Sequence, residues 1–333
     1  MQHQRTFRPV GFWAPRSLPY TLLRPRLWRT AWHRPVSVRC ADPGAARYGS
    51  ANVVCWTYDR AVHGPRLCLE FMNEQTVDAW RFRWRAIADA LWRMIDGRPE
   101  IVFHDIPVDV SDCVEATLPG DVFRFARRPG DPHELLPTPQ LLKRHPLRSR
   151  PVPWGRKRDS VFFRGAATGV PEYEANARAA ACRAAQAIAG GDCKLTTFSD
   201  AGPGFRARAE QDGIVARRDK PSAMNHHRYL LDVDGHTSSW DRFRLIGECE
   251  GVPIRFETAW EECWHGQLLE GANFVAASRT TLADVIEGLR GSPTRARAIA
   301  AEASRLARQV LSPAGAQRML EEAWLRRTTA RAV

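Results

Sequence analysis

From about residue 158 to residue 311, short apolar runs alternate with stretches of helical period, and this alternation constrains the fold more than any other feature. Residues 160–163, 228–233, 252–256 and 273–277 are rich in β-branched and aromatic side chains and are predicted as strands. Between and after them the spacing predicts helices over 172–189, from Ser238, over 260–269, from Thr281, and over 296–311 and 314–325. Strands joined through helices pair side by side in parallel, with right-handed crossovers. The expected fold class is therefore α/β.

In such sheets, ligands bind where strands end and helices begin. Two stretches have that form. In the first, the strand at 228–233 runs into Gly235, and Ser238 stands three residues before Asp241 like an N-cap with its reciprocal partner. Ser238, Ser239 and Arg242 supply donors there, and Trp240 supplies a flat face. In the second, Phe162 and Phe163 lead through Arg164 into a turn bounded by Gly165 and Gly169. Glycines let backbone approach a ligand closely, and Arg164 can grip phosphate oxygens two at a time. The turn lacks the Gly-Lys-Ser/Thr of a Walker loop. Asp232 and Asp234 spell Asp-x-Asp, so a metal-dependent reading stands beside a structural one.

The first half is less regular. Residues 53–58 and 66–71 read as strands around His63-Gly64-Pro65, and residues 77–95 form an apolar stripe of Val77, Trp80, Trp84, Ile87, Leu91 and Ile95 that predicts a helix. A third strand starts at Ile101 and is expected to end at His104-Asp105-Ile106-Pro107. Residues 129–158, rich in Pro and Arg, read as a linker.

Taken together these motifs resemble glycosyltransferase family 90, whose bacterial branch modifies lipopolysaccharide. Tyr229-Leu-Leu-Asp-Val-Asp-Gly235 followed by Ser238-Ser-Trp-Asp-Arg242 is similar to the core motif of that family, and Phe163-Arg-Gly-Ala-Ala-Thr-Gly169 to its donor motif. Asn176 and Arg178 match an Asn-x-Arg of bacterial relatives. The resemblance spans roughly residues 99–311. It implies two Rossmann-like domains facing across a cleft, the GT-B arrangement, with C-terminal helices. It implies a donor site of Arg164, Gly165, Thr168, Gly169, Asp234, Gly235, Ser238, Ser239, Trp240 and Arg242, and no metal or other cofactor. It also implies that Asp105, before Ile106-Pro107 where relatives carry an aromatic residue and Pro, takes the acceptor proton. Asp109 is the reserve for that role and His104 a third choice. Asn273-Phe274 stands where relatives place an aromatic residue and His.

At 333 residues the chain is long for one core, and 44% hydrophobic with 26% charged residues describes a globular protein. The expected division is a basic Trp/Pro-rich arm over 1–48, an acceptor-side domain over 49–150, a donor domain over 151–311 and a closing helix over 312–333. No apolar run is long enough for a spanning helix, and the prolines of the first 27 residues break any signal-peptide core, so a cytoplasmic location is expected. The eight cysteines show no metal spacing and read as reduced thiols. The net charge of +12, carried almost wholly by Arg, suits phosphate-bearing partners. Trp13, Trp28 and Trp32 among basic residues give the arm the composition of a peripheral contact with an anionic membrane. A nucleic-acid partner is not expected, because no known module is present and the charge is not gathered on one helix. The expected function is inverting transfer of a sugar, glucose, galactose or xylose, from a UDP donor to a hydroxyl of lipopolysaccharide core or another surface glycan. A protein hydroxyl as acceptor is the variant within the same family, and a basic nucleic-acid-binding protein is the reading outside it.

Overall fold

The strand and helix signals resolve into two sheets in a computed structural model that describes residues 36–41, 48, 52–72, 74–98, 100–111, 118–143 and 150–330. The first 35 residues, and with them the membrane-contact reading of the arm, lie outside the described residues. Val36–Cys40, read as arm, is instead an edge strand, β1.

The first unit continues with β2 (Val53–Tyr58), α1 (Arg60–His63), β3 (Leu67–Phe71), α2 (Glu74–Ala79), α3 (Arg81–Gly97), β4 (Phe103–Asp109) and α4 (Pro139–Leu142). The sheet order is β1-β3-β2-β4. β2 pairs antiparallel with both β3 and β4, while β1 joins β3 in parallel. The sheet is mixed because the short turn at Gly64 (φ 66°) leaves no room for a crossover between β2 and β3. The single helix expected over 77–95 is two helices broken at Trp80, and the indole of Trp84 ties them by donating to the Val77 carbonyl (2.9 Å).

The second unit holds β5 (Arg158–Ala166), α5 (Ala177–Gln186), β6 (Asp192–Thr197), α6 (Phe205–Gln211), β7 (His227–Val233), α7 (Arg242–Glu248), β8 (Val252–Phe256), β9 (Val275–Ala277), α8 (Leu282–Gly291) and α9 (Pro293–Gln309). All five strands are parallel, in the order β6-β5-β7-β8-β9. The central strands are buried on both faces, as their unbroken apolar runs require. Several expected helices shrink. The one over 172–189 starts only after Asn176, whose side chain caps the Ala179 N–H at 3.0 Å. The one over 260–269 is a single 3₁₀ turn, His265–Gln267.

The final helix, α10 (Pro313–Ala330), leaves the second unit and packs on α3 and α4 of the first. Trp324 is fully buried there, stacked on Phe123 at 5.7 Å and edge-on to Phe103 (5.3 Å) and Trp56 (6.4 Å). The expected linker is also part of this core, because Leu136, Leu141 and Leu142 are buried in it. Both units thus share one apolar cluster that runs through Phe243, Trp264 and Leu306 to Trp324.

Candidate functional site

A chain that lays β5 first, β6 on one side of it and β7 on the other creates a topological switch between the carboxyl ends of β5 and β7. Helices leave the sheet in opposite directions there and a crevice opens. That crevice is a recess of about 260 Å³ lined by Arg83 and Gln140 of the first unit and by Thr168, Arg178 and Gly235 to Asp241 of the second.

Two glycine turns make its floor. Gly169 holds φ at 106°, and a Cβ placed on it would stand 2.9 Å from the Gly235 carbonyl oxygen. A Cβ on Gly235 would stand 2.7 Å from Thr168 Oγ1 and 2.8 Å from Arg178 Nη2. Both positions require glycine because the β5 and β7 turns touch.

Arg178, in the first turn of α5, spreads its guanidinium over the ends of both strands. It donates to the carbonyls of Asp234 (2.9 Å), Ala166 (3.0 Å) and Val233 (3.4 Å). Arg242 donates to the Arg164 carbonyl (3.0 Å) and lies over the Phe163 ring. Burial pushes the Arg178 pKa down to about 10, and the neighbouring Arg242 charge pushes the same way. Among the described residues, neither guanidinium has a carboxylate within ion-pair distance. Two half-buried cations bonded to carbonyls, with the carboxylates of Asp232, Asp234 and Asp241 nearby but in direct contact with neither, leave positive charge behind the recess that an anion can meet.

Carboxylates stand one layer away and are engaged elsewhere. Asp232 accepts from Ser239 Oγ and pairs with Arg255 at 3.6 Å. Asp234 turns its carboxylate from the recess to accept from Thr258 Oγ1 and the Ala259 N–H, both at 2.9 Å. Burial raises Asp234 to about 6 and Glu262, which accepts from Trp264 Nε1 at 2.9 Å, to about 8. Among the described residues no group of three or more His, Cys, Asp and Glu side chains is placed to hold a metal ion.

Of the expected donor residues, Thr168, Gly235, Ser238, Ser239 and Trp240 line the recess, and Gly169 and Arg242 adjoin it. Three are placed otherwise: Asp234, whose carboxylate is held by Thr258 and Ala259, and Arg164 and Gly165. Arg164 turns towards the opposite end of the sheet, where it pairs with Asp192 (2.7 Å) and Asp219 (2.9 Å). Gly165 makes room for its own strand, since a Cβ there would stand 2.6 Å from the Phe163 ring. Ser238 lines the recess but does not cap a helix as expected; α7 begins only at Arg242, after Asp241.

Asp105 is not at a strand end. β4 runs on to Asp109, because Val108 and Asp109 still pair with Val54 and Val53 of β2. Asp105 sits at a register shift opposite Thr57, with φ 56° and its N–H on Thr57 Oγ1 (3.0 Å). His104 beside it is exposed and pairs with Asp59 at 3.5 Å. The recess lies at the other end of β4, where Arg83 donates to the Val110 carbonyl (3.0 Å). Four residues of strand put Asp105 about 13 Å behind Asp109. Asp109 is buried, accepts from the Ser111 N–H (2.9 Å) and faces Arg124 at 3.8 Å; burial raises its pKa against the pull of Arg124 and Arg83.

Arg83 and Gln140 carry no sequence signal of a site: one lies within the helical stripe and the other in the expected linker. Arg178 carried a faint one, its spacing after Asn176.

No protein-family model matches the chain, and no curated protein matches it. Among solved structures, HepE of Anabaena in complex with UDP-glucose aligns over 50% of this chain and 49% of its own, at 12% identity and TM-score 0.35. A glycosyltransferase of Rickettsia africae aligns over 50% and 48%, at 10% identity and TM-score 0.39. The chain thus spans about half the length of either, and likenesses at this level say nothing of its chemistry.

Proposed function

We propose that this chain is a glycosyltransferase that moves a sugar from a UDP-sugar to a hydroxyl of lipopolysaccharide core or another surface glycan. One observation carries the reading: Arg178 and Arg242, half-buried and without carboxylate partners among the described residues, stand at the carboxyl-end crevice between β5 and β7. A donor diphosphate supplies the missing negative charge, and the N-terminus of α5 adds its dipole. Asp232 and Asp234 are tied to Ser239, Arg255, Thr258 and Ala259 rather than turned into the recess, which supports a site that works through protein cations. The acceptor enters from the side of the first unit. Its hydroxyl attacks the anomeric carbon opposite the leaving diphosphate, so the configuration inverts. Asp109, at the recess end of β4, takes the proton in place of the more distant Asp105. A carboxyl raised by burial suits that role.

Calorimetric titration with UDP, GDP, ADP and CMP tests the reading. UDP is expected to bind, and Arg178→Ala to lose about 10- to 150-fold in affinity, the range of a charge-assisted contact. A folded wild-type chain that binds none of the four would overturn the assignment.

A further inference from the structure

A second hollow of about 480 Å³ opens beside the recess, at the carboxyl ends of β8 and β9. Arg255, Glu257 and Thr258 wall it on the β8 side, and Phe274 and Ala276 on the β9 side. Two aspartates form the partition between the hollows. Asp234 gives its carbonyl to Arg178 of the recess (2.9 Å) and its carboxylate to Thr258 of the second hollow (2.9 Å). Asp232 accepts from Ser239 on one side and pairs with Arg255 on the other (3.6 Å). Paired strands lie about 4.8 Å apart, so the middle of the β8–β9 hollow stands about 10 Å from the middle of the β5–β7 recess.

The charges around this hollow are matched within the protein. Arg255 has Asp232, and Glu257 is gripped by Arg279, whose backbone N–H and Nε reach Oε1 at 2.8 and 3.0 Å and whose Nη2 reaches Oε2 at 2.7 Å. The hollow therefore suits a neutral group, where the recess suits an anion. Such a group meets a flat ring at Phe274 and a carboxylate at Glu257. Glu257 holds φ at 43°, rare for a residue with a side chain, and its N–H donates to the Ala277 carbonyl (3.0 Å). A carboxylate offers about four acceptor positions, and Arg279 occupies three. The fourth, on Oε2, has no partner among the described residues and can take a hydroxyl. The Arg279 contacts also hold the Glu257 carboxyl below its ordinary range, so it stays an acceptor at neutral pH.

We propose that the second hollow receives the nucleoside of the donor, with a ribose hydroxyl on Glu257 and the base against Phe274, while the diphosphate lies in the recess. The assignment rests on the sugar-transfer reading above. A nucleoside diphosphate has the form the two hollows ask for together: a neutral, hydroxylated group with a flat ring, joined to an anion about two strand spacings away. Glu257 then distinguishes a ribonucleotide from one without the hydroxyls, because a carboxylate rewards a donor and gains nothing from a C–H. The polar wall that separates the hollows lies under the link between nucleoside and phosphate.

Three ligands separate the hollows in calorimetry: UDP, its 2′,3′-dideoxy analogue, and inorganic pyrophosphate, which fills the recess alone. Should GDP, ADP or CDP be the nucleotide that binds, it and its own dideoxy analogue take their place. Wild type is expected to bind UDP at least about tenfold more tightly than the dideoxy analogue, the value of one hydrogen bond to a charged group. It should bind the analogue at least about fivefold more tightly than pyrophosphate, the value of one stacked base. Glu257→Gln should bring the first ratio to within about threefold. Phe274→Leu, which keeps apolar volume and loses the flat ring, should weaken both nucleotides at least about fivefold and leave pyrophosphate unchanged. Ala276→Phe fills the hollow from an exposed position, should do the same, and covers the case of a Glu257 or Phe274 variant that does not fold. Pyrophosphate bound by wild type as tightly as UDP or more so, or a folded Ala276→Phe protein with wild-type UDP affinity, overturns the nucleoside assignment alone. A wild type that binds neither nucleotide nor pyrophosphate overturns the sugar-transfer reading and the assignment with it.

Discussion

Gly169 and Gly235 lie so close that the methyl group of an alanine at Gly169 would overlap the Gly235 carbonyl oxygen, at 2.9 Å. The β5 and β7 turns therefore cannot move independently, and the recess floor behaves as one piece. In Gly235→Ala the new Cβ displaces Thr168 Oγ1 and Arg178 Nη2. The Arg178 side chain can give way, so the protein should fold, with a lowered unfolding midpoint and UDP affinity reduced at least about tenfold. Unchanged UDP affinity would show that the floor does not shape the ligand site.

Arg164 and Arg178 should exchange the roles their sequence contexts suggest. Arg164→Ala removes the cation between Asp192 and Asp219, both more than a third exposed, so solvent screens much of the loss. About 1–2 kcal/mol of stability is expected to disappear in urea unfolding while UDP affinity stays near wild type. Arg178→Ala should do the reverse.

Asp109→Asn should transfer sugar at least about a hundredfold more slowly with UDP affinity nearly unchanged, while Asp105→Asn keeps a rate near wild type. Initial rates with a donor and acceptor found active decide between them. A slow Asp105→Asn beside a normal Asp109→Asn would reverse the assignment.

Glu262 gives the protein a pH signature. Its folded pKa, raised to about 8 from an ordinary 4.5 chiefly by burial, means that the native state binds more protons than the unfolded state between those values. Stability must then fall as pH rises across that window, by at most about 1.4 kcal/mol per pH unit for this one group. Thermal unfolding at about pH 6 and pH 8 should show the loss in wild type, and Glu262→Gln should flatten it. An equal slope in both proteins would place the titration elsewhere.

The parallel sheet, four of its five strands and the two glycine turns were legible in the sequence because unbroken apolar runs and glycines report local requirements directly; the edge strand β6 (Asp192–Thr197), whose apolar residues alternate with polar ones, was not. What was not legible depends on direction. Arg164 and Arg178 are both arginines near the same turn, and only the pairing of β5 with β6 decides that Arg164 is drawn to Asp192. Asp105 was expected at a strand end because the resemblance matches Asp105-Ile106-Pro107 to a strand-ending Asp, aromatic, Pro. It follows a register shift that lets β4 continue along β2 to Asp109. Arg83 was invisible as a lining residue, since it packs on Trp240, 157 positions later in the chain. The C-terminal helix was expected, but its destination was not, because an apolar stripe does not name the surface it covers.

That destination sets an order of assembly during synthesis. The strands and helices of the second unit form one continuous segment, from Arg158 to Gln309, and can close on themselves as soon as that segment is made. The first unit lacks Trp324 until almost the last described residue has emerged, so Trp56, Phe103 and Phe123 wait without the ring that fills their centre. The half of the protein that is translated first is thus the half that finishes folding last.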